Sequence, residues 1–137
     1  MKLIYPLLAQ VAWTIIVGIL MGRSRAASVK NRDVKIGQVA LGNDAWPDKV
    51  KAVGNNYANQ FETPVLFYVL CGVAIYVGAT GWLTVALAWI YVATRIGHTY
   101  VHIGTNHVPT RFNIFLAGML TLVALLVVVT AKALHLY

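Results

Sequence analysis

Four apolar stretches alternate with polar ones along the chain. The first, residues 3–21, is broken only by Gln10 and Thr14 and stops at Arg23 and Arg25. It is longer than the ~7–15 apolar residues of a secretory signal, and no small-x-small cleavage pattern precedes the charges, so it reads as a retained span. Pro6 falls near its start, where proline does least harm. Residues 22 to about 44 form the one long polar loop. Asn43-Asp44-Ala45-Trp46-Pro47-Asp48 then reads as a helix start: Asp44 as cap, Pro47 in the first turn, Asp48 against the positive helix end. The helical pattern continues through 49–62 into the apolar run 64–77, and Pro64 is expected to bend that helix rather than end it. Gly78-Ala79-Thr80-Gly81 signals a tight turn. The third apolar run is 82–102, the next turn is 104–110 with Asn106 and Pro109, and the last run is 112–134, with Lys132 and Tyr137 at its far interface.

A membrane span needs about 20 apolar residues. The pattern therefore predicts an all-α membrane protein, a four-transmembrane-helix bundle forming a single domain over 1–137. Its spans are about 3–21, 55–77, 82–102 and 112–134, with a loop at about 22–50. Composition narrows the reading further. The 137 residues are 59% hydrophobic and 11% charged, against about 45–50% and about 25% in soluble domains. That excludes an ordinary soluble domain, a disordered chain and a soluble coiled coil. Cys71 is alone in an apolar run, so the chain holds no CxxC pair and no intrachain disulfide, and an inert buried thiol is the expectation.

The formal net charge is +7, which in a soluble protein would suggest nucleic acid as a partner. Here the cations report topology instead. Arg23, Arg25, Lys30, Arg32, Lys35, Lys49, Lys51 and Arg111 fall on one side of a four-span arrangement, against Lys2 and Lys132 on the other. The positive-inside rule places the 22–50 loop in the cytoplasm and both termini on the non-cytoplasmic side. Among the tryptophans, Trp13 and Trp89 fall deep in their spans and are expected to pack rather than to anchor at an interface.

Polar residues inside spans are costly and mark function by default. The second span carries Asn55, Asn56, Asn59, Gln60 and Glu62. On one continuous helix Asn55, Asn59 and Glu62 share a face within about 60°, with Lys51 beside them. The third carries Arg95, His98, Thr99, His102 and Asn106 on one narrow face. Both clusters lie toward the cytoplasmic ends of their helices and can line a common wet pocket. Glu62 is the one acid in an apolar setting and Arg95 the one arginine deep in a span, so an ion pair between them is the economical expectation. The bland alternative is that these groups only hold helices together. His98-x3-His102 has a spacing that can chelate a metal or offer axial haem ligands. No second ligand pair accompanies it, so no metal site is expected, and an imidazole that orients a neighbour or binds an anion fits better.

These residues resemble the MAPEG family, membrane-associated proteins in eicosanoid and glutathione metabolism. The resemblance rests on four short helices, the basic first loop, Asn59-x2-Glu62 with Pro64, Arg95-x2-His98, and Pro109-x-Arg111. The block Asn59-Gln60-Phe61-Glu62-Thr63-Pro64-Val65-Leu66 is its most specific piece. The resemblance implies a homotrimer that binds glutathione between subunits near the cytoplasmic side, and a distant bacterial-type branch in the inner membrane. By that resemblance Asn59, Glu62 and Arg95 match glutathione contacts, with Asn55 and His98 beside them, and Arg111 matches the arginine that opens the fourth helix. The chain has Lys51, Ala52 and Asn55 where stronger members carry Glu-Arg and a further Arg, His102 where some carry Tyr, and Phe112 where a serine can stand. A tripeptide with two carboxylates and an ammonium suits arginine forks and one acid. Arg111, helped by a helix dipole, or a protonated His102, would stabilise a thiolate. The implied function is a thiol-dependent enzyme of glutathione transferase or peroxidase type. It would take a lipophilic small molecule from the bilayer. The alternative is a non-catalytic trimeric scaffold or lipid-binding regulatory protein.

Overall fold

The computed structural model describes residues 2–136, so Tyr137 lies outside the described residues. Five helical segments form four rods: α1 (Ile4–Lys30), α2 (Asp48–Ala58) running into α3 (Thr63–Tyr76), α4 (Trp82–Ile103) and α5 (Val108–Ala133). The first rod, the α2–α3 rod and α5 are each long and apolar enough to cross a membrane. The protein is an integral, multi-pass membrane protein. α4 has 22 residues, enough for about 33 Å of helix. Its polar stripe lowers its apolarity, and it packs most extensively against α5.

Charge stops the apolar run of α1 but not its helix. Arg23, Arg25, Ala26, Ala27 and Lys30 are good helix formers, so α1 continues well past residue 21, where the span was expected to give way to loop. Its 27 residues reach about 40 Å, against a hydrocarbon core of about 30 Å. It ends in a Schellman motif: Arg32 adopts φ 62° and the Asp33 amide donates to the Ser28 carbonyl at 3.0 Å. The loop between α1 and α2 is ordered over a small cluster of Val34, Trp46 and Val50, with the Arg25 guanidinium 5.3 Å from the Trp46 ring centre. Pro47 is extended and caps α2 from outside, rather than lying in the first turn. The helix therefore starts at Asp48, at the end of the 43–48 segment read as a helix start.

The second rod differs from the expected bent helix. A single 3-10 turn spans Asn59–Phe61, and Glu62 leaves helical geometry altogether at ψ −101° before α3 resumes. Pro64 explains the break. It lacks an amide hydrogen, and its ring conflicts with the carbonyl four residues earlier, that of Gln60. The far turn follows the sequence reading: Gly78 takes φ 75° and the Ala79 amide reaches the Ala74 carbonyl at 2.8 Å, which reverses the chain into α4.

Near this turn the interior is apolar. Phe67, Cys71, Ala74, Ala88, Tyr91, Leu122, Leu125 and Val129 pack together, and the Phe67 and Tyr91 rings stack with centroids 4.6 Å apart. Cys71 is a buried free thiol. α1 and α2 approach closely where Gly18 lies under the Tyr57 ring and Gly54 under Arg25. Trp13 turns inward as expected. Trp89 does not: it is 46% exposed, on the face α4 presents outward.

Candidate functional site

The half of the bundle nearer the loop has a polar interior. Thr99 of α4 is its hub. The Trp13 indole donates to Thr99 Oγ1 at 3.3 Å, the Asn56 amide donates to it at 3.2 Å, and the Thr99 hydroxyl returns a bond to Asn56 Oδ1 at 3.3 Å. Gln10 Nε2 donates to Gln60 Oε1 at 3.3 Å, and Gln60 Nε2 donates to the Asn56 carbonyl at 3.2 Å. Gln10, Asn56, Gln60 and Thr99 are all essentially inaccessible. In hydrocarbon an amide without partners is expensive, so these groups fix the rotation of α1, α2 and α4 against one another. Asn56 and Gln60 are one helical turn apart, and Gln10 is the lone amide of the first apolar run; those were the signals for this network.

Arg95 lies one turn from Thr99 and is buried. The expected pair with Glu62 does not form. Arg95 Nη2 donates to the Asn59 backbone carbonyl at 3.3 Å, while Glu62 is exposed. The reason is the rod's break. Loss of regular helix at 59–62 frees the Asn59 carbonyl from its i+4 amide, and an arginine fork is the donor that reaches it. The same break removes the continuous helical face that was to carry Asn55, Asn59 and Glu62. Asn55 is exposed like Glu62, and Asn59 is half-buried.

Beside the break lies a cavity of about 230 Å³ lined by Asn59, His98, Arg111 and the apolar side chains of Val108, Phe112 and Phe115. Three of the residues singled out from sequence, on three separate elements, meet here. Local structure aims each of them. Arg111 sits in the first turn of α5, which His107 and Pro109 start. His107 Nδ1 and Thr110 Oγ1 share a 2.8 Å hydrogen bond. Asn106, in the left-handed region at φ 52°, accepts from Arg111 Nη1 at 2.7 Å. That asparagine, a turn residue by sequence, holds the arginine. His98 is 4% exposed and its Nδ1 has no protein partner. The His98 ring lines the cavity, while this nitrogen is buried within the protein.

His102 lies behind His98, outside the cavity's lining. The two rings meet edge to face at 86° with centroids 5.5 Å apart, and His102 Nδ1 is also unpaired. Arg95 and Arg111 act electrostatically on both imidazoles, and Glu62 acts on Arg95 only at a distance. Among the described residues, no three His, Cys, Asp or Glu side chains gather as metal ligands. The arrangement offers an arginine, an imidazole nitrogen and an asparagine amide to a small polar group. Aromatic walls accept an apolar one beside it. The start of α5 adds the positive end of a 26-residue helix.

The MAPEG family model matches residues 3–131 of the chain. No curated protein and no solved structure matches it.

Proposed function

Because the chain belongs to the MAPEG family, a family of membrane glutathione-related enzymes, we propose that it is a thiol-dependent enzyme of glutathione transferase or peroxidase type acting on lipophilic electrophiles. The observation that carries this reading is the convergence of Arg111, His98 and Asn59 on one cavity walled by Phe112 and Phe115. Glutathione, when bound, supplies the thiol nucleophile. Arg111 holds negative charge at the mouth of α5, where guanidinium and helix dipole act together and favour thiolate over thiol. Asn106 keeps that guanidinium in place. The His98 ring and Asn59 orient the polar partner, and the two phenylalanines admit the apolar one from the bilayer. His102 acts through His98 as a positioning residue.

The cavity suits an anionic group and is small for a whole tripeptide. We read the remainder of the cradle as shared between copies in a homotrimer. There the exposed Asn55 and Glu62 meet the peptide from a subunit surface, Glu62 serving its ammonium, and Arg95 adds to the positive field. In this reading the basic loop faces the cytoplasm of a bacterial cell and both termini lie across the inner membrane. A non-catalytic trimeric scaffold is the second reading, favoured by Arg95 being engaged with backbone rather than with Glu62.

The test is the thermal unfolding of the purified protein in detergent with and without millimolar glutathione, together with conjugation of a generic electrophile. Stabilisation with conjugation is expected. Stabilisation without conjugation supports the scaffold, and neither effect sinks the enzyme reading.

A further inference from the structure

Tyr91 of α4 stands at the border between the two kinds of interior. Its ring belongs to the apolar cluster and stacks on Phe67 with centroids 4.6 Å apart. Its hydroxyl leaves that cluster and shares a 2.9 Å hydrogen bond with Thr63 Oγ1, at the first position of α3. Tyr91 is fully buried, whereas Thr63 is half-buried. The apolar cluster has no need of that hydroxyl. A phenylalanine would fill nearly the same volume and keep the stack, without the cost of holding a hydroxyl away from water.

The use of the hydroxyl emerges one turn further along α4, where Arg95 Nη2 donates to the Asn59 carbonyl at 3.3 Å. Tyr91 and Arg95 are neighbours on one face of α4, with about 6 Å of rise between them. Their partners, Thr63 and Asn59, have the same separation in sequence and run in the opposite direction. They are the two ends of the break in the second rod, where Asn59–Phe61 is a 3-10 turn and Glu62 leaves helical geometry. Pro64 brings no amide to restore the ladder. The break therefore lacks regular helical bonding of its own, and it is fastened at both ends to an unbroken helix. This matters for the cavity. His98 comes from α4 and Arg111 from α5, two helices packed extensively together. Asn59, which lines the same cavity, comes from the broken rod.

We propose that Tyr91 is a positioning residue for this cavity. Its hydroxyl, through Thr63, holds one end of the break while Arg95 holds the other, and the two bonds together set Asn59 against His98 and Arg111. This role rests on the reading of the cavity as the thiol site and assigns to α4 the task of shaping it.

Steady-state conjugation by the detergent-purified full chain, with glutathione varied against a fixed generic electrophile, tests it. In Tyr91→Phe the KM for glutathione is expected to rise about fivefold, the weight of one hydrogen bond. The kcat should stay within about twofold, because Arg111 and the start of α5 are untouched. Thr63→Val reaches the same bond from its other side and should raise KM alike. Thr63→Ser keeps a hydroxyl and should restore the wild-type KM. Tyr91→Phe combined with Thr63→Val should be no worse than the worse single variant, since both remove one interaction. Hydrogen exchange of the 59–63 amides, measured by mass spectrometry without glutathione, should quicken in Tyr91→Phe. A KM unchanged in both single variants overturns the positioning role, as does a loss confined to kcat. Strictly additive effects in the double variant also overturn it, because the two hydroxyls would then act separately. A wild-type chain that neither binds nor conjugates glutathione overturns the thiol reading itself, and this role with it; the preceding outcomes all come from an active wild-type chain, so the two failures are distinct.

Discussion

On the side of the 78–81 turn, helices meet through Phe67, Cys71, Ala74, Tyr91, Leu122 and Leu125. On the side of the loop they meet through Gln10, Asn56, Gln60, Arg95, Thr99 and two histidines. The same four rods supply both. In a bilayer the first kind of contact gains little from leaving the solvent, since lipid tails are as apolar as leucine, and is held by close packing. The second gains from each hydrogen bond made where water is scarce, but leaves orphans. Gln10 Oε1, Arg95 Nε, His98 Nδ1 and His102 Nδ1 are buried without protein partners, and among the described residues the apolar half has no counterpart to them. One half is finished; the other has unused capacity, and the cavity with Arg111 lies in that half.

The contrast can be broken by substitutions. Phe67→Ala removes the ring stacked on Tyr91 and is expected to cost about 3–5 kcal/mol of stability, read by unfolding in mild detergent. A small loss would mean that the apolar half is not the mechanical base. Arg111→Ala should leave that unfolding within about 0.5 kcal/mol of wild type. Conjugation should fall by about 10²-fold, as when a single electrostatic stabiliser of an active site is lost. A large fall in stability would instead place Arg111 among the structural groups. Thr99→Val keeps the shape of the hub and strands its donors, Trp13 and Asn56. A loss of about 1–2 kcal/mol is expected, together with faster hydrogen exchange in α2 measured by mass spectrometry. No change would reduce the polar network to coincidence.

Much of this division is legible in the sequence. The four rods and the 78–81 reversal follow from apolar runs and turn residues, whereas the 104–110 connection is shorter than read, because α5 already starts at Val108. Asn59, His98 and Arg111 stand out because they are polar where hydrocarbon is expected. Three things did not follow. The extension of α1 to Lys30 was hidden because charge ends a span without ending a helix. The break at 59–62 was placed at Pro64 itself, whereas proline acts on the turn before it. The pairing of Arg95 failed for the same reason: a freed backbone carbonyl leaves no mark in a list of side chains, and Glu62 was the one partner such a list offered. Asn106 was read both as a turn residue and as part of the polar face of the third helix; α4 ends at Ile103, so only the turn reading holds, and its bond to Arg111 needs the position of that arginine.

The fastening of Arg95 to the Asn59 carbonyl has an evolutionary corollary. Every residue type brings a carbonyl, so the clasp between the broken rod and α4 does not depend on which side chain occupies position 59. Asn59 also lines the cavity. One residue thus acts through separate atoms: its main chain keeps the architecture, and its side chain is left out of that fastening. Descendants of this sequence can exchange the amide at 59 for another group without renegotiating the fold.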